Sequence, residues 1–137
     1  MSDVKKVEGF DVFDEVDTYD HNVESPVTGL PIKDMYVTLR PTTSKEWTKT
    51  MQKVLRRRPK GMDPTNIPPE RLKSEQIELI AAVTVGFRGF KDAAGKAIKY
   101  TPEKMVELLG SNPFRKQLDK VLAKDEVFLV NAERDSD

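Results

Sequence analysis

The longest apolar stretch of the chain reads IELIAAVTVGF, residues 77–87. Its apolar side chains recur at helical spacing, and Pro69 upstream provides a favourable first helical residue. The pattern predicts a helix from Pro69 to about Gly86, which would be the most apolar and most central element of the fold. A stretch of this length, interrupted by Glu78, is too short to span a bilayer.

Three further segments carry helix signals. Thr43 and Glu46 form a capping-box pattern, and the apolar residues that follow keep to one face until Pro59 ends the helix. Thr101-Pro102 and Asn112-Pro113 each place a capping residue before a proline, the order that favours a helix start. The sequence therefore predicts about four helices.

Strand signals are confined to the N-terminal part of the chain. Residues 25–31 hold two prolines and a glycine, which is turn chemistry, and Met35 to Leu39 form a β-prone run that Pro41 ends. We expect one or two strands there, with a hairpin around Thr28-Gly29. The predicted fold class is mainly α (α+β): about four helices with a small N-terminal β-hairpin or strand pair.

The charge pattern suggests three regions and contacts between proteins. Residues 1–34 carry 9 acids and 3 bases, whereas residues 35–61 carry 1 acid and 8 bases. Opposite charges on successive segments can attract another copy or fold the front of the chain back. We expect an acidic arm over residues 1–24 that can be mobile, one mainly helical domain over residues 25–131, and a polar tail over residues 132–137.

Composition argues against catalysis and against cofactors. The chain has no cysteine, and its one histidine, His21, lies in the acidic arm, so neither a multi-histidine zinc site nor a Ser-His-Asp set can be assembled. Glu75 and Glu78 fall away from the apolar stripe of their helix and are expected to be solvated. We therefore predict no enzyme, no catalytic residue, no metal and no cofactor.

The sharpest charge feature is the run Arg56-Arg57-Arg58-Pro59-Lys60. Three interpretations remain open: arginines that suit the negative end of a helix dipole, a contact with an acidic protein surface, and a nucleic-acid patch. The protein-contact interpretation predicts an interface formed by Arg56, Arg57 and Arg58, together with Phe10 and Phe13 of the acidic arm. The nucleic-acid interpretation is weaker, because the whole chain is not basic and no recognition motif accompanies the run.

A succession of motifs in the C-terminal half resembles a known family. Ala82 to Phe90 is followed by a turn from Asp92 to Lys96, by Thr101-Pro102-Glu103, and by a last helix leading to Phe128-Leu129. This order is similar to that of the tail assembly chaperones of bacteriophages with long non-contractile tails. The residues that carry the resemblance are Thr84, Gly86, Phe87, Gly89, Phe90, Gly95, Pro102 and Phe128.

The resemblance implies a specific role for the chain. It implies a tail assembly chaperone that forms a ring or spiral of copies, holds the tape measure protein and helps to bring tail tube protein to it. Such a protein would act in the host cytoplasm, away from membranes, and would be absent from the mature virion. The alternative is a small nucleic-acid-binding regulator that uses the Arg56 to Lys60 patch.

Overall fold

The fold is an antiparallel three-stranded sheet packed against helices. The structure, a computed structural model, describes residues 8, 9, 12 and 14–129. The three strands and four α-helices found there are β1 (Tyr19–Glu24), β2 (Pro31–Leu39), α1 (Lys45–Arg57), α2 (Pro69–Val83), β3 (Thr84–Arg88), α3 (Pro102–Leu108) and α4 (Asn112–Ala123). A short 3-10 helix over Asp125–Phe128 follows α4.

The prediction of a mainly α fold is wrong, because β3 completes a sheet of three strands in the order β1-β2-β3. The predicted central helix ends at Val83, and the next five residues pair antiparallel with β2. Thr84 and Val85 are β-branched and Gly86 disfavours helix, so the helix has little reason to continue. The hydroxyl of Thr84 donates to the Ile80 carbonyl at 2.8 Å and so satisfies one acceptor of the helix end.

The first two strands are joined by the turn that the sequence indicates. The Gly29 amide donates to the Ser25 carbonyl at 2.9 Å, and Gly29 has a positive φ of 73°. Residues 19–24 therefore belong to the sheet and not to an arm. His21, expected in a mobile segment, is instead buried in β1, with its Nε2 2.7 Å from Oε1 of Gln117 on α4.

The main core lies between one face of the sheet and α2, α3 and α4. Alternate strand residues point into it, as the period of two requires. The fully or almost fully buried side chains of this core are Val37, Leu39, Ile80, Val83, Met105, Leu109, Leu118, Leu122 and Phe128. The opposite face of the sheet carries exposed polar groups, including Asp20 and Arg88, which pair at 3.4 Å.

Helix α1 stands outside this core. It begins after Ser44, whose hydroxyl accepts from the Trp47 amide, so Ser44 is the N-cap and the predicted Thr43 is not. Its buried residue Val54 packs with α2 but is not part of the main core cluster. Helix α1 makes its main contact with α2, and most of its side chains are exposed to solvent.

Candidate interaction surface

Ion pairs fasten the end of α1 to α2. The Arg58 guanidinium makes two hydrogen bonds to the Glu75 carboxylate, at 2.6 and 3.1 Å, and Arg71 lies 3.6 Å from the same carboxylate. One turn further along α2, Glu78 pairs with Arg57. We call these five residues the α1–α2 clamp.

Glu75 is the buried centre of the clamp. The prediction that it is solvated is wrong: only 7% of the residue is exposed. The hydrogen bonds from Arg58 lower the pKa of the Glu75 carboxyl below its ordinary value of 4.5, against the opposing effect of burial. A carboxylate held ionised between two arginines is a structural cross-link, and its charge is already balanced.

Because of the clamp, only some of the predicted interface residues remain free to contact another molecule. Arg57 and Arg58 are engaged within the chain, while Arg56 is exposed and forms no ion pair with the residues that the structure describes. Phe10 and Phe13 lie outside the described residues. The predicted interface thus stays untested, and of its three arginines Arg56 alone is left without a described partner.

A row of cations runs along the outer face of α1. Lys45, Lys49, Lys53 and Arg56 lie within about 80° of the helix circumference, opposite the face that packs on α2. All four are exposed, and none pairs with an acidic group among the described residues. We call these four residues the basic stripe. Their spacing of four, four and three residues is visible in the sequence and is typical of one helix face.

An open groove of about 550 Å³ lies on the other side of α1 from this stripe, between α1 and α2, with α4 at one side. Trp47, Met51 and Leu72 form its apolar walls, and Val54 and Leu79 lie at its floor. The lining residues on α1 span about 16 Å of helix, or three turns. Leu72 keeps 47% of its surface exposed. We call this feature the α1–α2 groove.

The acidic residues before β1 lie at the other end of α1. Glu15 accepts a hydrogen bond from the Thr43 hydroxyl at 3.3 Å, two residues before α1 begins. The Val16 amide donates to the Phe128 carbonyl at 2.6 Å, which fixes the segment against the 3-10 helix that follows α4. Asp14 and Asp17 form no ion pair with the described residues.

The motif residues that carry the family resemblance lie in β3, in turns, at the start of α3 and in the core. Phe87 and Phe90 lie in an aromatic cluster with Tyr100 and Phe114, with ring centroids 4.7 to 5.9 Å apart. Gly95 ends a turn in which the Asp92 carboxylate accepts from two backbone amides. Thr84 and Gly86 lie in β3, Gly89 follows it, Pro102 begins α3, and Phe128 is buried in the core.

Among the residues that the structure describes, no group of three or more histidine, cysteine, aspartate or glutamate residues is arranged to hold a metal ion. None of the helices in this part of the chain combines the length and the apolar character that crossing a membrane requires. Comparison of the chain with protein-family models, with curated proteins and with solved structures finds no match.

Proposed function

We propose that the protein is a tail assembly chaperone of a long-tailed bacteriophage, which associates with copies of itself and binds the tape measure protein to guide assembly of the tail tube. The observation that carries the proposal is the order of motifs from Ala82 to Leu129, which resembles that family. On this proposal the protein catalyses no reaction, acts in the host cytoplasm and is absent from the mature virion.

The α1–α2 groove supports a role in binding a helical client. Amphipathic helices bind in grooves that are apolar inside and charged at the rim, through residues spaced three and four apart. The groove offers three turns of such a surface, with Trp47, Met51 and Leu72 inside and Lys73 and Asp119 among its lining residues. We therefore assign the apolar stripe of a tape measure helix to this groove.

Binding to the tape measure protein tests the proposal. We expect the purified chain to bind helical segments of the tape measure protein of its own phage. Leu72→Glu is expected to weaken that binding by about tenfold or more, because a carboxylate would replace an apolar contact at the groove wall. Calorimetric titration gives the affinities. Val106→Glu is the matched control, since Val106 on α3 is 46% exposed and lies outside the groove.

Two results would contradict the assignment. Absence of binding between the wild-type chain and every tape measure segment would contradict the proposed function. Equal losses in the Leu72 and Val106 variants would instead show that the groove is not the client site.

In the folded chain, part of the basic patch that the nucleic-acid alternative requires is already engaged. Of the four cations from Arg56 to Lys60, Arg57 and Arg58 already neutralise carboxylates of α2. Phosphates would have to compete with those carboxylates, so the patch offers fewer free charges than its sequence suggests. A gel shift that is steep in salt and that Arg56→Glu abolishes would restore this alternative.

A further inference from the structure

We propose that the basic stripe of one copy binds the acidic segment before β1, residues 14–17, of a second copy. The proposal rests on the self-association in the proposed function and names the two surfaces that would make it. It replaces the arginine cluster as the basic partner, since the clamp holds Arg57 and Arg58 within the chain.

The basic stripe has the chemistry of a docking surface for an acidic segment. The stripe is a single row on the side of α1 that faces away from α2, formed by Lys45, Lys49, Lys53 and Arg56. Glu46 is the only acidic residue of α1, and it lies near the edge of this row. Glu46 is itself engaged by Arg40 at 3.7 Å. The row is therefore a run of exposed positive charge that the described part of the fold leaves unneutralised.

The acidic residues 14–17 likewise form no ion pair within the described part of the fold, although Asp20 further along the chain pairs with Arg88. Residues 8–24 contain seven aspartates and glutamates and neither lysine nor arginine. In the described portion of that segment, Asp14 and Asp17 make no ion pair, and Glu15 bonds to a neutral hydroxyl. Since Val16 is tied to Phe128, these carboxylates are presented from a fixed place on the fold.

A chain cannot satisfy its own stripe with these acids. The Glu15 contact to Thr43 places the acidic segment at the start of α1, whereas Arg56 lies about 16 Å along the helix from Lys45. That separation exceeds the distance of about 8 Å over which exposed charges act at physiological salt. The carboxylates of residues 14–17 therefore do not reach the far part of the stripe of their own chain, whereas those of a second copy can.

The placement of the two patches also sets the kind of assembly. An interface between two different patches is heterologous. A growing row of subunits therefore keeps one unused patch at each of its two ends. Such contacts close into a ring or continue as a spiral. Complementary charges at the rim further speed the encounter and make it sensitive to salt.

Charge reversal on each patch, followed by mixing, tests the proposal with the full chain. The double variants Lys49→Glu/Lys53→Glu and Asp14→Lys/Asp17→Lys are each expected to weaken self-association by about tenfold or more in sedimentation velocity, because attraction becomes repulsion. Mixed in equal amounts, the two variants are expected to associate with each other, since the reversed patches are again complementary. Wild-type association is expected to fall as salt rises from about 0.05 to about 0.5 M.

The matched control is Lys116→Glu/Lys120→Glu, which reverses two exposed lysines at the same i, i+4 spacing on α4. This variant is expected to associate like the wild type. Circular dichroism melting of every variant confirms that each is folded before its association is compared.

Four results would overturn the proposal. They are a wild-type chain that stays monomeric at high concentration, reversed variants that associate normally, a mixture in which association is not restored, and assemblies that nuclease treatment disperses. Loss of tape measure binding in a chain that still assembles through these charges would instead reject the client assignment and leave this interface standing.

Discussion

At the scale of single residues, Gly89 shows how closely two strands approach. It follows β3 with φ of 82°, a conformation that side chains with a Cβ rarely adopt. A Cβ built there would lie 2.7 Å from the Asp34 carbonyl carbon and 2.9 Å from the Met35 Cα, both backbone atoms of β2. Neither contact can be relieved by a side-chain rotation, so glycine is required.

Substitution of Gly89 by alanine is expected to reduce the free energy of unfolding by about 3 kcal/mol or more, because strained φ and backbone overlap combine. Gly86→Ala, in β3 with an ordinary φ and no heavy atom within 4 Å of the added carbon, is expected to change it by less than about 1 kcal/mol. Urea unfolding followed by circular dichroism measures both. Similar losses in the two variants would show that the close approach to Asp34 is not what requires glycine.

At the scale of elements, the attachment of α1 depends on the α1–α2 clamp as well as on apolar packing. Val54 is the buried apolar residue of this helix, and the Arg58–Glu75 pair lies one turn beyond it. Removing one member of a buried ion pair costs more than the pair contributes, because the remaining charge loses its partner. The clamp therefore couples the position of the basic stripe to the ionisation of Glu75.

Glu75→Gln is expected to reduce the free energy of unfolding by about 1–3 kcal/mol at neutral pH. The folded-state pKa of Glu75 is lowered, so its stabilisation is complete above the ordinary value of 4.5 and is lost as the pH falls through the lower folded value. The difference between wild type and variant should therefore shrink below about pH 4.5, where the carboxyl of the unfolded chain gains its proton before that of the folded chain does.

Urea titrations at several pH values measure this difference. Glu78→Gln is the control, because Glu78 is more exposed in its pair with Arg57 and should cost less than about 1 kcal/mol. A difference for Glu75→Gln that stays constant down to pH 3 would contradict the assigned ionisation.

At the scale of the whole molecule, the two ends of the described chain are joined through Phe128. This side chain is 1% exposed, packs edge-on against Tyr19 with ring centroids 6.0 Å apart, and its carbonyl accepts from the Val16 amide. The contact holds residues 14–19 onto the body of the fold. It therefore also fixes the acidic segment that we assign to the interface between copies.

Phe128→Ala is expected to reduce the free energy of unfolding by about 3–5 kcal/mol, through lost burial and the cavity left behind. Hydrogen exchange should show lost protection of the Val16 amide in the same variant. Val106→Ala, at an exposed position, is the control and should change stability by less than about 0.5 kcal/mol. A small loss in the Phe128 variant would show that the N-terminal segment is held by other contacts.

Much of the local structure could be predicted from the sequence because its causes are local. The starts at Thr101-Pro102 and Asn112-Pro113 are present in the fold, as α3 and α4; Thr101 is the N-cap as predicted, whereas Ser111 and not the predicted Asn112 caps α4. The turn from Asp92 to Lys96 forms as its glycine indicates. In each case the stabilising hydrogen bonds join residues within a few positions of one another, so the residue types alone specify them.

The sequence by itself determined where helices start, where turns form, and that acidic and basic residues are separated along the chain. Only the tertiary structure decided that residues 84–88 form a strand and that Arg58 and Glu75, 17 positions apart, are partners. Strand pairing and ion pairing depend on which distant residues the fold brings together, and apolar periodicity does not contain that information. For the same reason, only the structure shows that the cations left without described partners are those of the basic stripe and not the whole run from Arg56 to Arg58.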